Sequence, residues 1–151
     1  MTLIVRDYTW RDDNKKRNNS PLLPSNIRGL IIGKSNCGKT TLLMNLLLEP
    51  TWLDYDHLFV FGKSLHQTEY QILKKGFKLG YSKVQIRNLF ENRNELKEAE
   101  VTPIQALSEY TGTREGGIVA SFYEDSCDQV PDPKSLNPSD KNLLILDDCF
   151  L

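Results

Sequence analysis

The 151-residue chain has no run of 18 or more apolar residues, which excludes a membrane-spanning helix of ordinary length. Its opening Met1–Asp7 has too short an apolar stretch to be a secretory leader. Cysteine is scarce. Cys37, Cys127 and Cys149 are odd in number and lack ligand spacing, so the sequence predicts free thiols and an intracellular setting rather than a disulfide framework. Two histidines, His57 and His66, are too few to make a usual zinc site by themselves. Net charge is also small, −1 with a pI near 6.1, which argues against nucleic-acid binding through overall basic charge and leaves only a local basic face. What is present is enough for a core: 39% hydrophobic and 26% charged residues are the proportions of a globular chain. The length suits about one domain.

The charge is unevenly spread. Residues 1–124 hold 17 Lys and Arg against 14 Asp and Glu, whereas residues 125–151 hold 2 against 6. The basic part includes Lys15-Lys16-Arg17 in a polar stretch, read as a solvated loop with a phosphate contact as the alternative. Residues 1–27 form an N-terminal extension with a short strand candidate at Leu3–Val5; residues 28–151 form the domain. Within it, Gly29-Leu30-Ile31-Ile32 is a short apolar run that suits a strand buried on both faces. Thr40–Leu48 follows as a helix apolar nearly all round, hence expected buried, and Pro50 ends it. Leu58–Phe61 is a second buried strand. Helices are expected over Gln67–Lys75, from the Ser82/Gln85 capping box to about Asn92, and from Thr102-Pro103 to Tyr110. Gly117–Tyr123 is a third strand candidate and Leu143–Leu146 a final buried one. Strands alternating with helices predict an α/β fold with a mainly parallel sheet flanked by helices.

One segment carries recognisable chemistry. Gly33-Lys34-Ser35-Asn36-Cys37-Gly38-Lys39-Thr40 matches Gly-x4-Gly-Lys-[Ser/Thr], the P-loop or Walker A motif. At average residue usage a chance match arises at about 1 in 20,000 positions. The motif also follows an apolar run and opens a helix, as it must. Glycines let successive backbone N–H groups converge on an anion, and the helix adds free N–H groups and its positive end. The nucleotide-contacting set is therefore Gly33, Lys34, Ser35, Asn36, Cys37, Gly38, Lys39, Thr40 and Thr41. Lys39 is expected to reach the β- and γ-phosphates of ATP, and the Thr40 hydroxyl to ligate Mg²⁺. Cys37 reads as a small filler.

Leu143–Leu146 running into Asp147-Asp148 fits the companion Walker B pattern, an apolar strand ending in an acid at the ligand-binding end of a parallel sheet. Asp147 is the expected Mg²⁺ ligand, through water, and Asp148 the residue that polarises the attacking water. A guanine-recognition Asn-Lys-x-Asp motif is absent, as is the protein-kinase motif set. Lys74, Lys75, Lys78, Lys83 and Arg87 form a modest basic cluster, read as a solvated face with DNA contact as the alternative. Arg114, in a glycine-rich stretch, reads as a loop residue, and Trp10, Trp52 and Tyr55 as core or interface aromatics.

Arg28–Thr41, Lys63-Ser64-Leu65-His66-Gln67 and Leu143–Leu151 together resemble the viral-type genome-packaging ATPases of poxviruses, other large DNA viruses and Polinton (Maverick) transposons, in the HerA/FtsK superfamily of P-loop motors. The resemblance spans the chain from about Gly29 onward. It implies a P-loop NTPase fold and an ATP-driven translocase of double-stranded DNA, working as a homo-oligomeric ring without a membrane. It also implies a further strand after Walker B, inserted between the two motif strands, and an arginine finger from a neighbouring subunit. The sequence ends three residues after Asp148, so the expectation is a fold C-terminally truncated after the Walker B strand and less stable than a complete motor domain. Two other readings stay open: a nucleotide or small-molecule kinase, for which Arg87 and Arg93 lie in the region of a lid, and a non-catalytic nucleotide-binding relic.

Overall fold

The computed structural model describes residues 18–125 and 127–149. The strand candidate Leu3–Val5, Trp10 and the basic run Lys15–Arg17 lie outside the described residues. In chain order the elements are α1 (Lys39–Leu48), β1 (His57–Gly62), α2 (Thr68–Lys78), α3 (Lys83–Glu91), α4 (Arg93–Glu98), α5 (Pro103–Glu109), β2 (Val119–Glu124) and β3 (Asn142–Asp147). The three strands form one parallel sheet in the order β2-β1-β3. Leu58 lies opposite Ala120 and Leu143, and Gly62 opposite Glu124 and Asp147, so all three carboxyl ends finish level. The α/β class read from the alternation is therefore observed.

Local chemistry accounts for the helix boundaries. At α3, Gln85 N–H donates to Ser82 Oγ (3.2 Å) and Ser82 N–H to Gln85 Oε1 (3.0 Å); Thr102 and Gln105 repeat the arrangement at α5. Each box satisfies two backbone donors that a helix start leaves unpaired. The core forms where the inward residues of the sheet meet the helices. Leu58 and Val60 of β1 are fully buried with Leu47, Tyr70, Leu73 and Ile86, and Ala120, Phe122, Leu143 and Ile145 pack against this cluster. Alternate residues face the other way. There Phe61 stacks on Tyr123 at 4.6 Å, while Leu144 and Leu146 are 44% and 57% exposed.

Three expectations need correction. Gly29–Ile32 is not a strand: Leu30 and Ile32 are 83% and 82% exposed, and the run joins no ladder. An apolar run becomes a buried strand only where a neighbour offers backbone partners. Among the described residues the outer edge of β3 is unpaired and no strand bridges from it to this run. Helix α1 is not buried all round; Met44, Leu47 and Leu48 are buried, whereas Leu42 is 45% exposed. Strand β3 is likewise half-covered rather than buried on both faces. Both carry apolar residues on a second face that no further layer covers among the described residues.

Candidate functional site

The segment Gly33–Thr40 is a loop that wraps into the start of α1. Gly38 sits at φ 95 and Asn36 at φ 61, in the left-handed region. Only glycine adopts the former without strain. A side chain at Gly33 would collide with Cys37 Sγ, so glycine is favoured at one end of the loop by space and at the other by backbone conformation. Lys39 Nζ donates to the carbonyls of Gly33 (2.7 Å) and Lys34 (2.9 Å), which folds its ammonium along the inside of the loop. Helix α1 begins with no side-chain cap on Gly38, and the first backbone bond within it is Leu42 N–H to Gly38 C=O. The amides of Lys39, Thr40 and Thr41 thus keep no intrahelical acceptor, and the positive end of the helix dipole lies with them.

A cavity of about 650 Å³ opens in front of this helix end. From the loop and α1 it is lined by Ser35, Asn36, Gly38, Lys39, Thr40 and Thr41. From the ends of β1 and β3 and the start of α2 come Ser64, Gln67, Glu69, Asp147 and Asp148. The structure therefore brings the two sequence motifs, 107 residues apart from Thr40 to Asp147, to one cavity. Parallel pairing does this, because it ends every strand on the side where α1 and α2 begin. Gly33, Lys34 and Cys37 belong to the loop but do not line the cavity; Lys34 offers its carbonyl to Lys39 rather than its side chain.

Asp147 is held in place. Tyr70 Oη, fully buried on α2, donates to Asp147 Oδ2 at 2.5 Å. Burial raises the Tyr70 hydroxyl well above its ordinary range, and the bond to Asp147 and the nearby charges of Asp147, Glu69 and Asp148 add to this. The phenol therefore stays a donor. One carboxylate oxygen is engaged, leaving the other for a cation or its water. Asp148 follows at φ 54, the left-handed turn that swings the chain away from β3. Cys149 Sγ then donates to the Phe61 carbonyl (3.3 Å), tying this turn to β1. No group of three or more His, Cys, Asp or Glu side chains suited to a metal occurs among the described residues. The donor set of a hydroxyl and carboxylates fits a hard cation that keeps most of its water, not a fully protein-ligated metal.

Tyr70 and Glu69 were not foreseen as site residues. Tyr70 shows in the sequence only as an apolar position at helical spacing, and nothing local announces that its hydroxyl meets the end of β3. The basic cluster is not a single face. Lys83 donates to the Leu53 carbonyl and lies 4.0 Å over the Tyr55 ring, and Arg87 Nη1 is 3.1 Å from both Glu49 oxygens. Lys74 and Lys78 remain exposed on α2. Arg114 donates to the Leu79 carbonyl and stands over Tyr81, away from the cavity; Trp52 is partly exposed and Tyr55 buried. No described helix is long and apolar enough to cross a membrane. Comparisons with models of known families, with curated proteins and with solved structures find no match.

Proposed function

We propose that this chain is a P-loop ATPase that binds Mg²⁺-ATP through Gly33–Thr41 and hydrolyses it with Asp147 and Asp148. One observation carries the reading: the glycine loop, the uncapped start of α1 and the Asp-Asp end of β3 share a cavity large enough for a nucleoside triphosphate. In this reading the free amides at the start of α1 and the Lys39 ammonium hold the phosphate chain, exchanging the loop carbonyls for phosphate oxygens. Thr40, and Asp147 through water, would hold Mg²⁺, which would neutralise charge on the phosphate chain. Tyr70 keeps the Asp147 carboxylate turned toward the cavity. Asp148 orients water for in-line attack on the γ-phosphorus. Movement of double-stranded DNA and assembly into a ring follow from the resemblance to packaging motors and belong to the same proposal.

The thermal midpoint with and without Mg²⁺-ATP tests it, with Lys39→Ala beside the parent. Ligand at 100 times its dissociation constant adds about 2.7 kcal/mol of stability. The expected result is an upward shift in the parent that is absent in Lys39→Ala. A parent that melts cooperatively with no shift overturns nucleotide binding. If the shift is present, ATP turnover with and without duplex DNA tests the motor. Lys74→Gln/Lys78→Gln should lower the salt dependence of DNA binding by about two contacts, and an unchanged slope removes α2 as the DNA face.

A further inference from the structure

A second cavity, of about 580 Å³, lies beside the first and is walled by α1, α2, α3 and α4. Most of its wall surface is apolar, with Met44, Leu48, Ile72 and Phe90 contributing, and charged side chains stand among them. Thr41 and Glu69 line both cavities, so the two adjoin. The volume, and a wall that is mainly apolar by area with polar groups set into it, are those of a small-molecule site.

Three cations, Arg87, Arg93 and Lys97, and three carboxylates, Glu49, Glu69 and Glu91, line it, but they are separated: Glu49 and Glu91 lie at Arg87, Glu69 is shared with the first cavity, and the α4 edge carries only Arg93 and Lys97. Arg87 is committed on one edge to Glu49, yet its buried Nε has no hydrogen-bond partner among the described residues, and Glu91 Oε1 stands off at 3.7 Å. A buried donor without an acceptor is costly unless something else supplies one. One helical turn apart on α4, Arg93 and Lys97 also line the cavity, and neither forms an ion pair among the described residues. Two adjacent unpaired cations at the edge of an apolar chamber complement a doubly charged anion attached to an apolar body.

We infer that this cavity binds a small ring-bearing phosphomonoester, its ring against Met44, Ile72 and Phe90 and its phosphate toward Arg93 and Lys97. The site goes beyond the nucleotide reading and does not depend on it: it uses none of Gly33–Lys39, Asp147 or Asp148.

The test is a methyl-NMR titration of the whole chain with 1-naphthyl phosphate, using 1-naphthalenemethanol as the uncharged counterpart. Three proteins are compared: the parent, Lys39→Ala, and Arg93→Gln/Lys97→Gln. Both substituted α4 positions are exposed, and thermal midpoints recorded alongside verify that the fold is kept. The expected result is saturable movement of the Met44 and Ile72 methyl signals by the phosphate, retained in Lys39→Ala and weakened about tenfold or more in the α4 variant. The neutral alcohol should bind the parent and the α4 variant alike. The inference is overturned if those methyls do not move at millimolar probe. It is overturned equally if the movement disappears in Lys39→Ala, which assigns the phosphate to the P-loop, or if the α4 variant binds the phosphate as well as the parent.

Discussion

Tyr70 joins the core to the site. Its ring is part of the buried cluster while its hydroxyl anchors Asp147. Tyr70→Phe keeps the packing and deletes the bond, so it is expected to cost about 1–2 kcal/mol, in the range for a hydrogen bond to a charged group that is partly solvated. Urea denaturation measures this cost. If the proposed Mg²⁺ site is right, the same variant also needs more Mg²⁺ for half-maximal ATP-induced stabilisation, whereas a purely structural tyrosine leaves that requirement unchanged. Lys83 gives a second prediction. Burial draws its ammonium down from 10.5 to about 8; Asp54 opposes this and Lys141 reinforces it. Asp54 itself is partly buried, but its bonds to Lys141 and the Asn18 N–H hold it below its usual value. Between about pH 8 and 10.5 the unfolded chain keeps a proton on Lys83 that the folded chain has lost, so stability rises with pH in this window. Burial also raises the hydroxyls of Tyr55 and Tyr70, so above about pH 10 the unfolded chain loses protons first and stability falls. Urea midpoints between pH 7 and 11 should therefore climb and then drop. Lys83→Met should abolish the climb and keep the drop, and a climb that survives the substitution removes Lys83 as its source.

Helix α1 shows what pattern reading captures and what it misses. Its start after Gly38 and its end before Pro50 follow from residues that flank the helix. Which of its leucines are buried depends on what is packed around it. Leu47 is fully buried and Leu42 is 45% exposed, although the two residue types are the same. Leu47→Ala is accordingly expected to cost about 2–5 kcal/mol, by lost transfer energy and an unfilled cavity. Leu42→Ala should cost under about 0.5 kcal/mol, as at ordinary surface positions. Chemical denaturation of the pair measures the difference, and equal costs mean that the outer face of α1 is covered after all. The capping box at Ser82 was readable because its partner Gln85 lies three residues on, and the start at Thr102 because Pro103 follows it; the second box, Thr102 with Gln105, came from the structure. The strand expected at Gly29–Ile32 was misread for the opposite reason. Apolar residues state a need for burial, but a strand also needs a neighbour's backbone, and that neighbour is not local in sequence. The site divides in the same way: the Gly33–Thr40 loop and Asp147-Asp148 are contiguous signals, while Glu69 and Tyr70 reach the cavity only because α2 starts beside the end of β3.

At the scale of the whole molecule, protection is expected to be graded outward from β1, because among the described residues it is the strand with ladder partners on both sides. Leu58, Val60 and Phe61 are fully buried as well as doubly paired, so their amides should exchange only when the domain opens as a whole. The run Gly29–Ile32 is the opposite case: it precedes the Gly33–Thr40 loop, is apolar, and yet is exposed and outside the sheet. Its amides should exchange near unprotected rates. A global stability of even about 5 kcal/mol corresponds to more than three powers of ten, so the gap should be a thousandfold or larger. Native-state hydrogen exchange read residue by residue measures both segments in one sample. Comparable slow exchange at Leu30–Ile32 and Leu58–Phe61 contradicts the observed arrangement and puts the run in a ladder, as its composition first suggested. Fast exchange at the run with slow exchange at β1 means that no strand ties the Gly33–Thr40 loop to the sheet, so that α1 on one side and the contacts of residues 18–27 on the other hold it to the domain. In that case Leu47, Leu48 and Met44, which seat α1 on the core, set the rigidity of the cavity.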